Sequence, residues 1–214
     1  MDEEISIINS NTRKEKIKNF FINNRKSLIV IISLILLLVF SLFLFSEIKD
    51  RKIKSISDQY NNIIINFNNS DKIKIKNELV EIIKSKNSTY SPLALYFIID
   101  NEIQASTDEI NEYFDIIIND TKLEKEIKNL VIYKKGLFNS EFETENNLIL
   151  ILNPLIKSES VWKSHALYLI AEYFFDKNQK QKAKEFYNKI LNYDKSNENI
   201  KFEAQRRLSR DLSE

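Results

Sequence analysis

Residues 166–191 read ALYLIAEYFFDKNQKQKAKEFYNKIL, and the spacing of their apolar positions decides the fold. Leu167, Ile170, Ala171 and Phe174 recur at helical intervals, and Ala183, Tyr187 and Ile190 do so again beyond a polar break. Two amphipathic helices joined by a short turn follow from that pattern. Neither can bury its apolar stripe alone, so the pair requires each other and further neighbours. Small side chains belong where two helices cross closely, and Ala171 and Ala183 fall there.

Working outward, the motif Ala-Leu-Tyr occurs in SPLALYFIID (91–100) and again in KSHALYLIAE (163–172), with NLVIYKKGLF (129–138) midway. Aligning the aromatic residues gives Tyr96, Tyr133, Tyr168 and Phe202, at steps of 37, 35 and 34. A helix–turn–helix unit of about 34 residues is the period of the tetratricopeptide repeat (TPR). Gly136, the one glycine, lies 35 residues before Ala171 and is likewise small. Ile99 at that place in the first unit and Leu148 in place of the second alanine in the middle unit make those units degenerate.

Punctuation agrees with this layout. Segments 49–67 and 70–84 are expected to be helical, the second opening on Ser70-Asp71. Ser91-Pro92 combines a capping residue with proline at a helix start. Ser106 and Glu109 have capping-box spacing, Ser158 or Ser160 opens the helix after them, and residues 197–212 form a last helix whose Arg206, Arg207 and Arg210 suit a solvated cap. With one Gly and two Pro in 214 residues, a turn-rich β architecture is excluded. The expected class is all-α: a transmembrane helix followed by a TPR-like solenoid.

That transmembrane expectation rests on residues 28–45, LIVIISLILLLVFSLFLF, apolar on every side and uncharged. Eighteen helical residues span roughly 27 Å, close to the ~30 Å hydrocarbon core of a bilayer. Six basic residues precede the run (Arg13, Lys14, Lys16, Lys18, Arg25, Lys26) and four follow it closely (Lys49, Arg51, Lys52, Lys54). The excess favours an N-terminal cytoplasmic tail. The expected layout is therefore a basic tail over 1–27, the membrane helix over 28–45, a helical linker and first helix pair over 46–90, and repeats with a capping helix over 91–214. In the tail, Ile17, Phe20 and Phe21 recur at helical spacing among lysines; two readings stay open, a short helix on the lipid surface or an irregular basic tail.

Chemistry-bearing motifs are missing from the sequence. It has no Gly-rich phosphate loop, no HExxH and no Gly-x-Ser-x-Gly, one His and no Cys. Catalysis, a cofactor, a metal and a small-molecule substrate are not expected, and with net charge +1 neither is nucleic acid. A repeat stack instead offers a concave face lined by the first helix of each pair. Tyr96, Tyr133 and Tyr168 occupy equivalent places, with Glu172 and Phe175 one and two turns beyond Tyr168. These rings either line a protein-binding groove or fill the core between repeats; the sequence supports both.

The chain also resembles the YfgM-like ancillary subunit family of the SecYEG translocon. The resemblance is carried by Asp2-Glu3-Glu4, by Lys16, Phe20, Phe21 and Arg25 leading into the apolar run, by Tyr90-Ser91-Pro92-Leu93-Ala94, and by Trp162, Ala166, Ala183 and Ala204. Where that family often has Gly-Asp between the last two helices, this chain has Asn178-Gln179. The resemblance implies a bacterial inner-membrane protein with a periplasmic TPR-like domain, whose partners are translocon subunits, exported polypeptides and periplasmic chaperones. A repeat scaffold for another envelope assembly, in outer-membrane biogenesis or cell division, is the alternative.

Overall fold

Helix is the only regular structure among the residues described by the computed structural model, 14–16, 18–69 and 71–212. The chain divides into two compact units, Met1–Ser55 and Ile56–Glu214. The first contains most of α1 (Arg25–Asn66), 42 residues or about 63 Å long. Among the described residues it is the one helix long and apolar enough to cross a membrane. Separate helices were expected at 28–45 and 49–67, but the two are continuous. No Gly or Pro interrupts the join, and Arg51 pairs with Glu47 across one helical turn at 2.9 Å. Of the expected tail helix, Ile17 lies outside the described residues, as do Asp2, Glu3, Glu4 and Ser70.

The second unit starts on the last turns of α1, where Ile56, Tyr60 and Ile63 form a buried stripe. There follow α2 (Lys72–Lys84), α3 (Tyr90–Asp100), α4 (Thr107–Asp115) with a wider π-turn over Ile116–Asp120, α5 (Lys125–Asn139), α6 (Glu145–Ile156), α7 (Lys163–Asp176), α8 (Lys180–Leu191) and α9 (Glu198–Asp211). Connections this short make sequential helices antiparallel neighbours. From α5 onward each helix packs on its successor, and α7 also packs on both α5 and α9. Two apolar cores result. One gathers α1 to α4 with Val131 of α5, and the other gathers Ile132 of α5 with α6 to α9.

Polar contacts link distant parts of this unit at separations of 15 to 37 residues, most of them between 33 and 37. Eight side-chain hydrogen bonds or ion pairs join residues 33 to 37 positions apart, among them Tyr90 to Ser57, Lys76 to Glu109, Glu126 to Ser160, Lys182 to Glu145 and Arg207 to Glu172. Exposed pairs of this kind contribute at most about 1 kcal/mol each. These contacts join elements that are not adjacent in the chain, while burial supplies the stability. The set reaches back to Ser57, and Tyr60 lies 36 residues before Tyr96.

Several helix starts match their expected caps. Asp71 accepts from the Ile73 N–H at 2.9 Å. Ser106 and Glu109 exchange both bonds of a capping box at 3.1 and 2.8 Å, and Asn197 caps α9. Ser91 does not cap. The chain turns one residue earlier because Asn87 Oδ1 accepts from the N–H groups of Thr89 and Tyr90, both at 2.9 Å. Ser91 is left buried in the first turn, donating to the Ile82 carbonyl of α2 at 2.8 Å. Pro92 still falls in that turn, where no intrahelical N–H partner exists to lose. Ser160 caps the turn ahead of α7, accepting from the Trp162 N–H at 3.1 Å.

Helix ends are less usual. Glu102 (φ 48°) and Asn178 (φ 57°) take the left-handed conformation that glycine normally occupies after a helix. Each closes the same double bond pattern: the Ile103 N–H reaches the Ile98 carbonyl at 3.0 Å, and the Gln179 N–H reaches that of Phe174 at 2.8 Å. A side chain in this conformation costs roughly 1–2 kcal/mol relative to glycine, partly offset by the greater unfolded-state freedom of glycine. Glu102→Gly is therefore expected to stabilise the fold by about 0.5–1 kcal/mol, seen as a higher thermal midpoint. An unchanged or lower midpoint would refute that account.

Candidate functional site

Tyr168, Glu172 and Phe175 lie at i, i+4 and i+7 on α7, a stripe beside the core stripe of Leu167, Ile170, Ala171 and Phe174. The structure brings these three together. The Tyr168 ring meets Tyr187 of α8 edge-on, with centroids 5.8 Å apart. The Tyr187 hydroxyl donates to Glu172 Oε1. Arg207 of α9 forks onto the same carboxylate through Nε at 3.0 Å and Nη2, and its Nη1 reaches Asp211 at 3.1 Å. The Arg207 guanidinium also lies 4.9 Å from the Phe175 ring centroid. Arg207 is thus not the solvated residue that the sequence suggested, because Glu172, 35 residues before it, offers a bidentate partner.

Tyr133 sits elsewhere. It stacks on Trp162 at 5.5 Å and 24°, and meets His165 edge-on at 5.9 Å. His165, the one histidine, is half-buried in this cluster, with Nδ1 enclosed and without a hydrogen-bond partner. Tyr96 belongs to the other core, under the ammonium of Lys134 at 5.6 Å. It lines a cleft of ≈ 130 Å³ with Ile99, Asp100, Phe114, Lys134, Leu137 and Phe138. Its hydroxyl is buried without a partner.

The three tyrosines therefore sit in separate neighbourhoods. Each packs a ring against a core while remaining partly exposed. Phe202, their counterpart on α9, is 67% exposed because among the described residues no later helix lies over it. Sequence reasoning missed Tyr187 and Arg207 as partners of Glu172, and missed the Tyr133–Trp162 stack with His165 beside it. One signal was available: Arg207 stands 35 residues after Glu172, the same step as between Tyr133 and Tyr168.

Burial raises the pKa of Tyr96 to about 12 and pushes those of Tyr60, Tyr113, Tyr133, Tyr168 and Tyr187 upward from their ordinary value. The negative charge of Glu172 adds to the rise at Tyr168 and Tyr187. A folded pKa above the unfolded one gives stability that is complete below pH 10 and lost as pH climbs through the folded value. Alkaline unfolding is expected to set in above pH 10, with Tyr96 alone contributing on the order of 2 kcal/mol of the loss by pH 12. Tyrosinate absorbance followed beside circular dichroism tests this. Six phenols ionising near pH 10 in a still-folded chain would contradict it.

No family model matches the chain, and no curated protein or solved structure matches it at a significant level.

Proposed function

We propose that this chain is a membrane-anchored, TPR-like scaffold that binds other polypeptides. The observation carrying the repeat reading is the set of polar contacts at 33 to 37 residues, the spacing of a tetratricopeptide unit. Helix pairs linked at that period present the first helices of the pairs along one face, which suits capture of a partner chain rather than enclosure of a small substrate. The apolar stretch of α1 supports membrane attachment by its length and composition. The six-to-four excess of basic residues supports a cytoplasmic N-terminus and a periplasmic domain. By its resemblance to the YfgM-like family, the assembly served is the Sec translocon of a bacterial inner membrane, and the role is handing exported proteins to periplasmic chaperones.

Photo-crosslinking from Tyr96 and Phe175 in intact membranes tests the partner class. Enrichment of translocon subunits and exported chains is expected. Recovery of division or outer-membrane assembly proteins in their place would move the scaffold to another envelope machine. Protease added to spheroplasts tests the topology, and a domain that resists digestion there would invert it.

A further inference from the structure

Ahead of α1 the chain is helical over residues 18–23, with a one-residue turn at Asn24 whose backbone N–H and side-chain amide both donate to the Phe20 carbonyl at 3.0 Å. Phe20 and Phe21 are each 57% exposed and touch edge to face, with centroids 6.0 Å apart. At helical spacing, Lys18 precedes Phe21 on one margin of this apolar pair, and Lys14 and Lys16 stand in the described residues ahead of it. Lys14, Lys16, Lys18, Arg25 and Lys26 are all exposed, against Glu15 as the acidic residue of the segment.

Charge and position select the occupant of this face. Five cations flanking a pair of phenyl rings complement a negatively charged surface with an apolar layer beneath it. The uncharged run begins at Leu28, two residues after Lys26, which puts the segment at headgroup depth when that run crosses a bilayer. We infer that the helical stretch 18–23, with the cations on either side of it, lies at the membrane interface and binds anionic phospholipid headgroups on the N-terminal side of the membrane. The inference rests on the reading of α1 as membrane-spanning. The rings enter the acyl boundary, and the lysine stems reach up alongside them to keep their ammonium groups among the phosphates. A second contact of this kind holds the end of α1 against the leaflet, where one apolar span alone leaves the tail free.

The absence of cysteine makes a direct test simple. Full-length chain carrying Phe20→Cys, labelled with an environment-sensitive fluorophore, is reconstituted in vesicles of phosphatidylglycerol with phosphatidylcholine and in phosphatidylcholine alone. Asn19→Cys, on the opposite side of the helix, serves as the control. The expected result is blue-shifted emission, quenched by spin-labelled lipid, from position 20 in the anionic vesicles and much less in the neutral ones. Lys14→Gln with Lys18→Gln should lower the embedded-to-exposed ratio by about fivefold per charge removed. Water-like emission in both membranes, or equal embedding in both with no effect of the lysine changes, overturns the inference. Release of the whole chain by alkaline carbonate overturns the anchoring reading as well; retention with a water-exposed probe overturns this inference alone.

Discussion

Gly136→Leu is expected to destabilise the helical stack by about 3 kcal/mol, with Gly136→Ala costing about 1 kcal/mol. A Cβ at this position would stand 2.8 Å from Leu152 Cγ and 3.3 Å from Leu152 Cδ1. Leu152 is fully buried in the second core, so it cannot swing into solvent to make room. Overpacking of this kind typically costs 1–3 kcal/mol, and a helix gains back up to about 1 kcal/mol when glycine becomes alanine. The helix term therefore softens the alanine variant, while leucine adds further atoms to the same contact. Chemical denaturation of the full chain in detergent reads both effects. A Gly136→Leu protein as stable as the parent would show that α5 and α6 do not approach as described. Combining Gly136→Ala with Leu152→Ala supplies a check, because the second change removes the clashing carbons and should make the first nearly free.

This position was legible from the sequence because a glycine inside a helical pattern carries a cost that only close packing explains. The same logic placed Ala171 and Ala183, both now at 0% exposure. Hydrophobic periodicity located α7 and α8, since burial decides where an amphipathic helix lies. What it could not locate was governed by other forces. The continuity of α1 depends on the absence of any breaker between Phe45 and Lys49, a negative signal that a change from apolar to charged composition masks. The start of α3 was misplaced because Asn87 and Ser91 are both competent caps, and the choice between them depends on Ser91 finding the Ile82 carbonyl on another helix.

The candidate site was legible in part for a related reason. Spacing fixes which face of α7 carries Tyr168, Glu172 and Phe175, but says nothing of what faces them across a helix boundary. Two of the three expected groove residues at this end are committed internally, since Glu172 is bound by Tyr187 and Arg207 and Phe175 lies beneath the guanidinium. Tyr96 is the expected groove residue with an unpartnered hydroxyl and a cleft beside it. If a partner chain docks along these helices, the region around Tyr96 and Lys134 offers free bonding capacity that the α7–α9 end has already used.

The internal commitment at that end leads to the second large effect. Glu172→Ala is expected to cost about 2–3 kcal/mol, more than truncation of an exposed acid. Tyr187 is fully buried, so its hydroxyl has no water to turn to once the carboxylate is gone, and an unsatisfied buried donor costs about 1–3 kcal/mol. Arg207 keeps Asp211, and the side chains of Glu172 and Arg207 are 22% and 23% exposed, so solvent screens part of the lost ion pair. Glu172→Gln separates the two contributions: its amide oxygen still accepts from Tyr187 while the charge attraction to Arg207 disappears, for an expected loss of about 1 kcal/mol. Arg207→Ala should remove α9 more readily than it unfolds the rest, because α9 buries only Ala204 within its span. Limited proteolysis would then cut near residues 192–197 before the remainder unfolds. If the Glu172→Ala and Arg207→Ala effects on denaturation simply add in the double variant, the carboxylate and guanidinium are not coupled, and α9 is held by its apolar contacts instead.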